Sequence, residues 1–320
     1  MARLDRSWQS TCHLLQLTGH GCCMVPCWHL DCLRLRIDNS PHDMQTANET
    51  RRSGALIAIG GNEDKAHDKA VLKATLAAVA GAQPPSIGVL TAASREPERQ
   101  WQAYRKAFED LGADAHWVDI RARADAECPR RLEQFAKLNL LFMTGGDQER
   151  LARLLHGTAT HRILVRRQRH DGLVLAGTSA GASILGAWMP GGDVSEDSAT
   201  ALDLSDDPVP RGLGFLPGVI IDQHFTQRRR LARLMDLASR HGGLIGLGVD
   251  EDTAAVIRLG ESLTVVGGGS VTLIDCRTAH AVGKGEPVVS LRRVNFHRAQ
   301  AGATFKARSG TAATFAAFLP

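Results

Sequence analysis

The sequence predicts an α/β fold, a mostly parallel sheet with helices on both faces. Short aliphatic runs alternate with stretches of helical periodicity from residue 55 onward. Such alternation argues for strands linked by crossover helices and buried on both faces. Thirty-two glycines accompany one tyrosine and nine phenylalanines, which favours tight turns around aliphatic strands over an aromatic core.

Taken in order, residues 55–61 (ALIAIGG) read as a buried strand that delivers a glycine turn. Residues 69–79 place Val71, Leu72, Leu76 and Val79 at helical spacing. A strand over 86–92, a helix over 99–111 and a short strand over 116–120 follow. Residues 130–138 are helical, and 140–144 form a fourth strand ending in Gly145-Gly146. Two helical stretches lead to a strand over 173–176, which enters the sequence GTSAGA. Residues 219–221, 245–249, 254–257 and 263–266 continue the strand series. The Asp/Pro-rich residues 193–217 read as a long functional covering loop, and residues from about 302 as a loosely held tail. In such sheets sites form beyond the carboxyl ends of strands. Residues 51–320 are therefore expected to form one domain with its chemistry in those loops.

Composition excludes several classes. At 43% hydrophobic and 22% charged, the chain resembles soluble globular proteins rather than disordered ones. A net charge of +4 gives little reason to expect a nucleic-acid partner. No apolar run approaches the roughly 20 residues that span a bilayer, so no membrane partner is expected. Five of the seven cysteines lie within the first 32 residues, leaving Cys128 and Cys276 in the body. That is no disulfide framework, and it points to a reducing, cytoplasmic compartment. Residues 1–50 lack periodicity and read as a poorly ordered extension, or as an upstream start before one near Met44. His13, His20, Cys22, Cys23, Cys27, His29 and Cys32 are zinc-ligand types, but their spacing matches no ordered finger, so no metal is expected.

Ser179 is the sharpest residue. Gly177-Thr178-Ser179-Ala180-Gly181 fits G-x-S-x-G, with an apolar strand before it and helix-compatible residues after it. A serine on a sharp strand-to-helix turn needs small neighbours, and it stands where helix N–H groups favour a developing oxyanion. The bland alternative is a serine that only caps the helix. A nucleophile needs a base and an orienting acid. His224 directly follows an apolar strand, and Asp250 and Glu251 follow another. The order serine, histidine, acid excludes an α/β-hydrolase, in which the acid precedes the histidine.

GTSAGA, then DQHF, then GLGVDE, in that order over residues 54–294, resemble the cyanophycinases, serine peptidases of the family that includes peptidase E. The resemblance implies a class I glutamine amidotransferase-like (flavodoxin-like) three-layer sandwich and no metal or organic cofactor. It implies Ser179 as nucleophile, His224 as general base and Glu251 as orienting acid. It also implies hydrolysis of cyanophycin, a poly-aspartate carrying arginine on each β-carboxyl, to β-Asp-Arg dipeptides, by a homodimer. Substrate contacts carry over to Gln148, Asp222, Gln223, Arg228, Arg230 and Arg233. These suit such a substrate: arginines grip carboxylates bidentately, Asp222 takes a guanidinium, and Gln148 and Gln223 satisfy amides. Helical spacing turns Arg229 away from Arg230 and Arg233.

The oxyanion donors are expected to be the Ala180 N–H and a glycine of Gly145-Gly146, with Gly146 favoured. Asn62 and Glu63 are weaker candidates for the pocket rim. An aspartyl dipeptidase of the same fold and a non-catalytic Asp/Arg-peptide binder are the rival readings. A glutamine amidotransferase is disfavoured, because it needs a cysteine where Ser179 stands.

Overall fold

The computed structural model describes residues 53–81, 84–191, 210–240, 244–282, 290–308 and 314–319. The extension 1–50 and residues 193–209 of the expected covering loop lie outside them. The strands are β1 (Leu56–Ile59), β2 (Ser86–Leu90), β3 (Asp114–Val118), β4 (Leu140–Met143), β5 (Val174–Thr178), β6 (Gly186–Trp188), β7 (Leu216–Gln223) and β8 (Ile245–Val249). They continue as β9 (Thr253–Arg258), β10 (Ser262–Gly267), β11 (Ser270–Asp275), β12 (His280–Val282), β13 (Ser290–Arg292), β14 (Asn295–Gln300) and β15 (Thr304–Lys306). The helices are α1 (Ala70–Ala77), α2 (Pro97–Glu109), α3 (Pro129–Ala136), α4 (Gln148–Leu155), α5 (Ala159–His170), α6 (Ala180–Ser183) and α7 (Leu231–Arg240).

One sheet runs in the order β15-β10-β9-β1-β5-β4-β2-β3. Its β1, β5, β4, β2 and β3 are mutually parallel. The half comprising β9, β10 and β15 is antiparallel, so the sheet is mixed rather than mostly parallel. The reason is connection length. Only residues 259–261 separate β9 from β10, whereas a parallel partner needs a crossover of a dozen residues or more. A second sheet, β14-β11-β8-β7-β6, is parallel across β6, β7 and β8 and antiparallel beyond. Strands β12 and β13 pair with each other.

Side-chain alternation divides the apolar residues of β1 between two cores. Ile57 and Ile59 pack with Val71 and Leu72 of α1 and Tyr104 and Phe108 of α2. Leu56 and Ala58 face the other way, toward α4, α5, α6 and the inner side chains of the second sheet, such as Val219, Ile221 and Leu247. The outer side of that sheet buries Ile220 and Ile274 against Leu234 and Ala238 of α7. Helices thus cover one face of the first sheet, while helices and a second sheet cover the other.

The expected loose tail is also corrected. Residues 304–306 pair with β10, and Phe315, Phe318 and Leu319 are buried in the core shared by the two sheets. Aromatic and aliphatic side chains near a chain end have the same reason to leave water as those inside it.

Phe142 of β4 is fully buried, with ring centroids 4.7 Å from Tyr104 and 5.2 Å from Phe108. Phe142→Ala is expected to cost about 3–5 kcal/mol, read from the denaturant midpoint of unfolding.

Candidate active site

Ser179 joins β5 to α6 with φ 52° and ψ −116°, a backbone region that few non-glycine residues occupy. The turn closes because its neighbours are small. A Cβ on Gly177 would lie 2.0 Å from the Gly181 carbonyl oxygen, and one on Gly181 would lie 2.2 Å from that of Met143. The Ser179 N–H donates to Ile59 O at 3.0 Å, tying the turn to the end of β1.

His224 follows β7, the inner-sheet strand whose end meets that turn. Ser179 Oγ lies 3.0 Å from His224 Nε2, and His224 Nδ1 lies 2.6 Å from Glu251 Oε1. Glu251 stands just beyond β8 and also accepts from Asn62 Nδ2 at 3.1 Å. Of the two acids left open by the sequence alone, Asp250 turns elsewhere. It accepts from Thr226 N, Ser270 N and Ser270 Oγ, so it braces the loops rather than the imidazole.

Burial pushes the His224 imidazole below its ordinary range, and its hydrogen bond to Glu251 opposes this only in part. For Glu251 burial pushes upward, but the bonds from His224 and Asn62 outweigh it and the carboxyl titrates low. The pair at neutral pH is therefore a neutral imidazole beside a carboxylate. With Nδ1–H directed at Glu251, Nε2 carries the lone pair that faces the Ser179 hydroxyl.

A cavity of about 580 Å³ opens at Ser179, walled by Ser94, Arg95 and Glu96, by Gly146 to Glu149, and by Gln223, Arg228 and Arg230. Gly146 has φ 139°, and a Cβ there would lie 2.2 Å from Ala93 O. Ala180 is the first residue of α6, where a backbone N–H has no partner within the helix. Gln148 lines the cavity while its Nε2 donates to Pro190 O and Gly191 O.

Two expected substrate contacts stand elsewhere. Asp222 is fully buried and accepts from Arg230 Nη1 at 3.1 Å, Arg233 Nε at 2.9 Å and Arg233 Nη2 at 2.6 Å. It takes guanidinium groups as anticipated, but those of its own chain. Adjacent strand residues point to opposite faces, so Gln223 and Asp222 cannot both face the cavity. The arginine helix is likewise corrected: α7 starts at Leu231, so Arg228 and Arg230 lie in the turn before it and only Arg233 is helical. Arg229, expected to be turned aside by helical spacing, lies in that same turn, exposed and at φ 50°. The Ser94–Glu96 wall carries no motif of its own, although it follows β2 at the edge where sites form.

Residues 55–266 match the model of peptidase family S51. The chain belongs to that family. Two relatives named cyanophycinase are each 38% identical. That from Synechococcus elongatus aligns over 74% of this chain and 73% of its own length. That from Geminocystis herdmanii aligns over 77% and 90%. The crystal structure of a peptidase from an acI-B1 Actinobacterium covers 80% of this chain and 98% of its own, at 24% identity and TM-score 0.59, a likeness of fold. This S51 chain is a serine-type peptidase. Among the described residues no helix is long and apolar enough to cross a membrane.

Two outcomes follow from the site's electrostatics. His224 is expected to take up its second ring proton only at a pH below the ordinary histidine range, because burial disfavours the imidazolium, checked by following its ring protons in an NMR titration. Asp222→Asn would remove the buried carboxylate that Arg230 and the half-buried Arg233 share, a loss of about 3–5 kcal/mol in chemical unfolding.

Proposed function

We propose that the protein hydrolyses cyanophycin to β-Asp-Arg dipeptides through an acyl-enzyme on Ser179. The carrying observation is the hydrogen-bonded chain Ser179–His224–Glu251 opening on a polar cavity, in a chain 38% identical to cyanophycinases. His224 Nε2 takes the Ser179 proton as Oγ attacks a backbone carbonyl of the polymer. Glu251 holds the ring with Nδ1–H inward and stabilises the imidazolium that forms. The Gly146 and Ala180 N–H groups receive the oxyanion, the imidazolium protonates the leaving amine, and water then releases the acyl group. This cycle requires no metal or organic cofactor.

Arg228, Arg230, Gln148 and Gln223 line the cavity and are assigned to the substrate's carboxylates and amides. Asp222 and Arg233 support them from behind as positioning residues: Asp222 holds Arg230, and Arg230 Nη1 also donates to Gln223 O at 2.7 Å. The flavodoxin-like, amidotransferase-like class is supported by the parallel half-sheet β3-β2-β4-β5-β1 with helices against both faces. The homodimer is proposed on the resemblance, and the cytoplasmic setting on the sparse thiols after residue 32.

Incubation with insoluble cyanophycin is expected to release β-Asp-Arg, detected by mass, and Ser179→Ala to abolish the release. Release that survives the substitution would remove Ser179 from its role. Cleavage of Asp-X dipeptides alone would move the protein to the dipeptidase branch.

A further inference from the structure

Asn62 and Glu63, expected at the pocket rim, have another place. They belong to the turn 60–63 that leaves β1, and this turn touches His224 and Glu251 and reaches the residue before Ser179. Gly60 O accepts from His224 N at 2.8 Å. Gly61, at φ 98°, lies flat against the imidazole, where a Cβ would sit 2.4 Å from Cε1. Gly61 O accepts from Asp252 N at 2.9 Å, anchoring the residue after Glu251. Asn62 Nδ2 donates to Glu251 Oε2. Glu63, its side chain fully buried, accepts from Thr178 Oγ1 at 2.7 Å and from the Tyr104 hydroxyl, with Lys65 Nζ 3.4 Å away. Thr178 is the residue immediately before the nucleophile.

We infer that the turn 60–63 is a clamp that positions the triad, Asn62 orienting Glu251 and Glu63 holding the serine turn through Thr178. The inference rests on the triad reading above. A carboxylate whose second oxygen is bonded cannot swing its first oxygen off the imidazole, so Asn62 keeps Oε1 on Nδ1. The buried Glu63 carboxylate ties α2, β5 and the β1 turn to one point, so the strained serine turn cannot relax in one direction without breaking a charged hydrogen bond. Neither residue touches Ser179 Oγ. Both are positioning residues, not catalytic ones.

The charged groups around His224 are known. Glu251 comes from the loop after β8, and Arg228 and Arg230 act from the turn after β7. Glu63 and Lys65 of the β1 turn pair with each other, Asp250 is turned to Thr226 and Ser270, and Asp252 accepts from Asp64 N. Asn62 is exposed and neutral, so replacing it changes the charge beside Glu251 without opening the core.

The test is the pH dependence of Ser179 inactivation by diisopropyl fluorophosphate on the full chain, which needs the triad but no particular substrate. Asn62→Ala is expected to lower the plateau rate by roughly tenfold. Asn62→Asp adds a negative charge that favours the imidazolium, so its acid limb is expected to move to higher pH. Thr178→Val is expected to slow labelling and Thr178→Ser, which keeps the hydroxyl, to restore it. An unmoved limb in Asn62→Asp, or equal rates for the two Thr178 variants, overturns the corresponding arm of the clamp. Failure of wild-type Ser179 to react would overturn the triad reading and the clamp together, whereas normal labelling without cyanophycin cleavage would overturn only the substrate.

Discussion

The backbone at Ser179 is held in a conformation that few non-glycine residues adopt, at a cost on the order of 1–3 kcal/mol, and the site is built to hold it there. Its N–H is taken by Ile59 O, and its carbonyl by Ala182 N and Ser183 N. Gly177 and Gly181 let the turn close where any Cβ would strike a carbonyl. Placing β1 beside β5 is therefore a condition of the chemistry as well as of the core. The fully buried β1 and β5 secure that adjacency by burying side chains on both faces.

Two sheets must then meet at one point. Ser179 follows β5 of the first, while His224 and Glu251 follow the neighbouring parallel strands β7 and β8 of the second. Alternation along β7 does the sorting. Gln223 points inward to the cavity, whereas Asp222 points outward, toward Arg230 and Arg233. The outward ion pairs keep a buried carboxylate satisfied, and they set Arg230 against Gln223 O at the cavity wall. A cluster that looks like substrate machinery in the sequence is divided by the pleat into one layer facing the cavity and one layer behind it.

How far the sequence could be read differs by element. The strands β1, β2, β4 and β8 carry uninterrupted apolar runs, and their periodicity was enough to find them. Strands β14 and β15 are half-exposed or exposed at most positions, so no buried run announced them. The antiparallel half of the first sheet was legible in principle, because the runs at 254–257 and 263–266 lie too close for a crossover. The helix assigned to Arg228 and Arg230 failed because Arg229 takes a left-handed backbone conformation, for which an arginine carries no signal.

The sequence by itself determined which residue types could do chemistry and on which strand ends they would stand. Ser179 in G-x-S-x-G, His224 after one apolar run and the acids after another are local facts, because glycine sterics and hydrophobic periodicity act over a few residues. Only the tertiary structure decided which acid meets the imidazole, which arginines face the cavity, and that Asn62 meets Glu251 and Glu63 meets Thr178. Those outcomes turn on which way adjacent side chains point, and on contacts between strands distant along the chain. Asn62 and Glu251 are 189 residues apart and bonded at 3.1 Å, and nothing in the pattern around either one names the other.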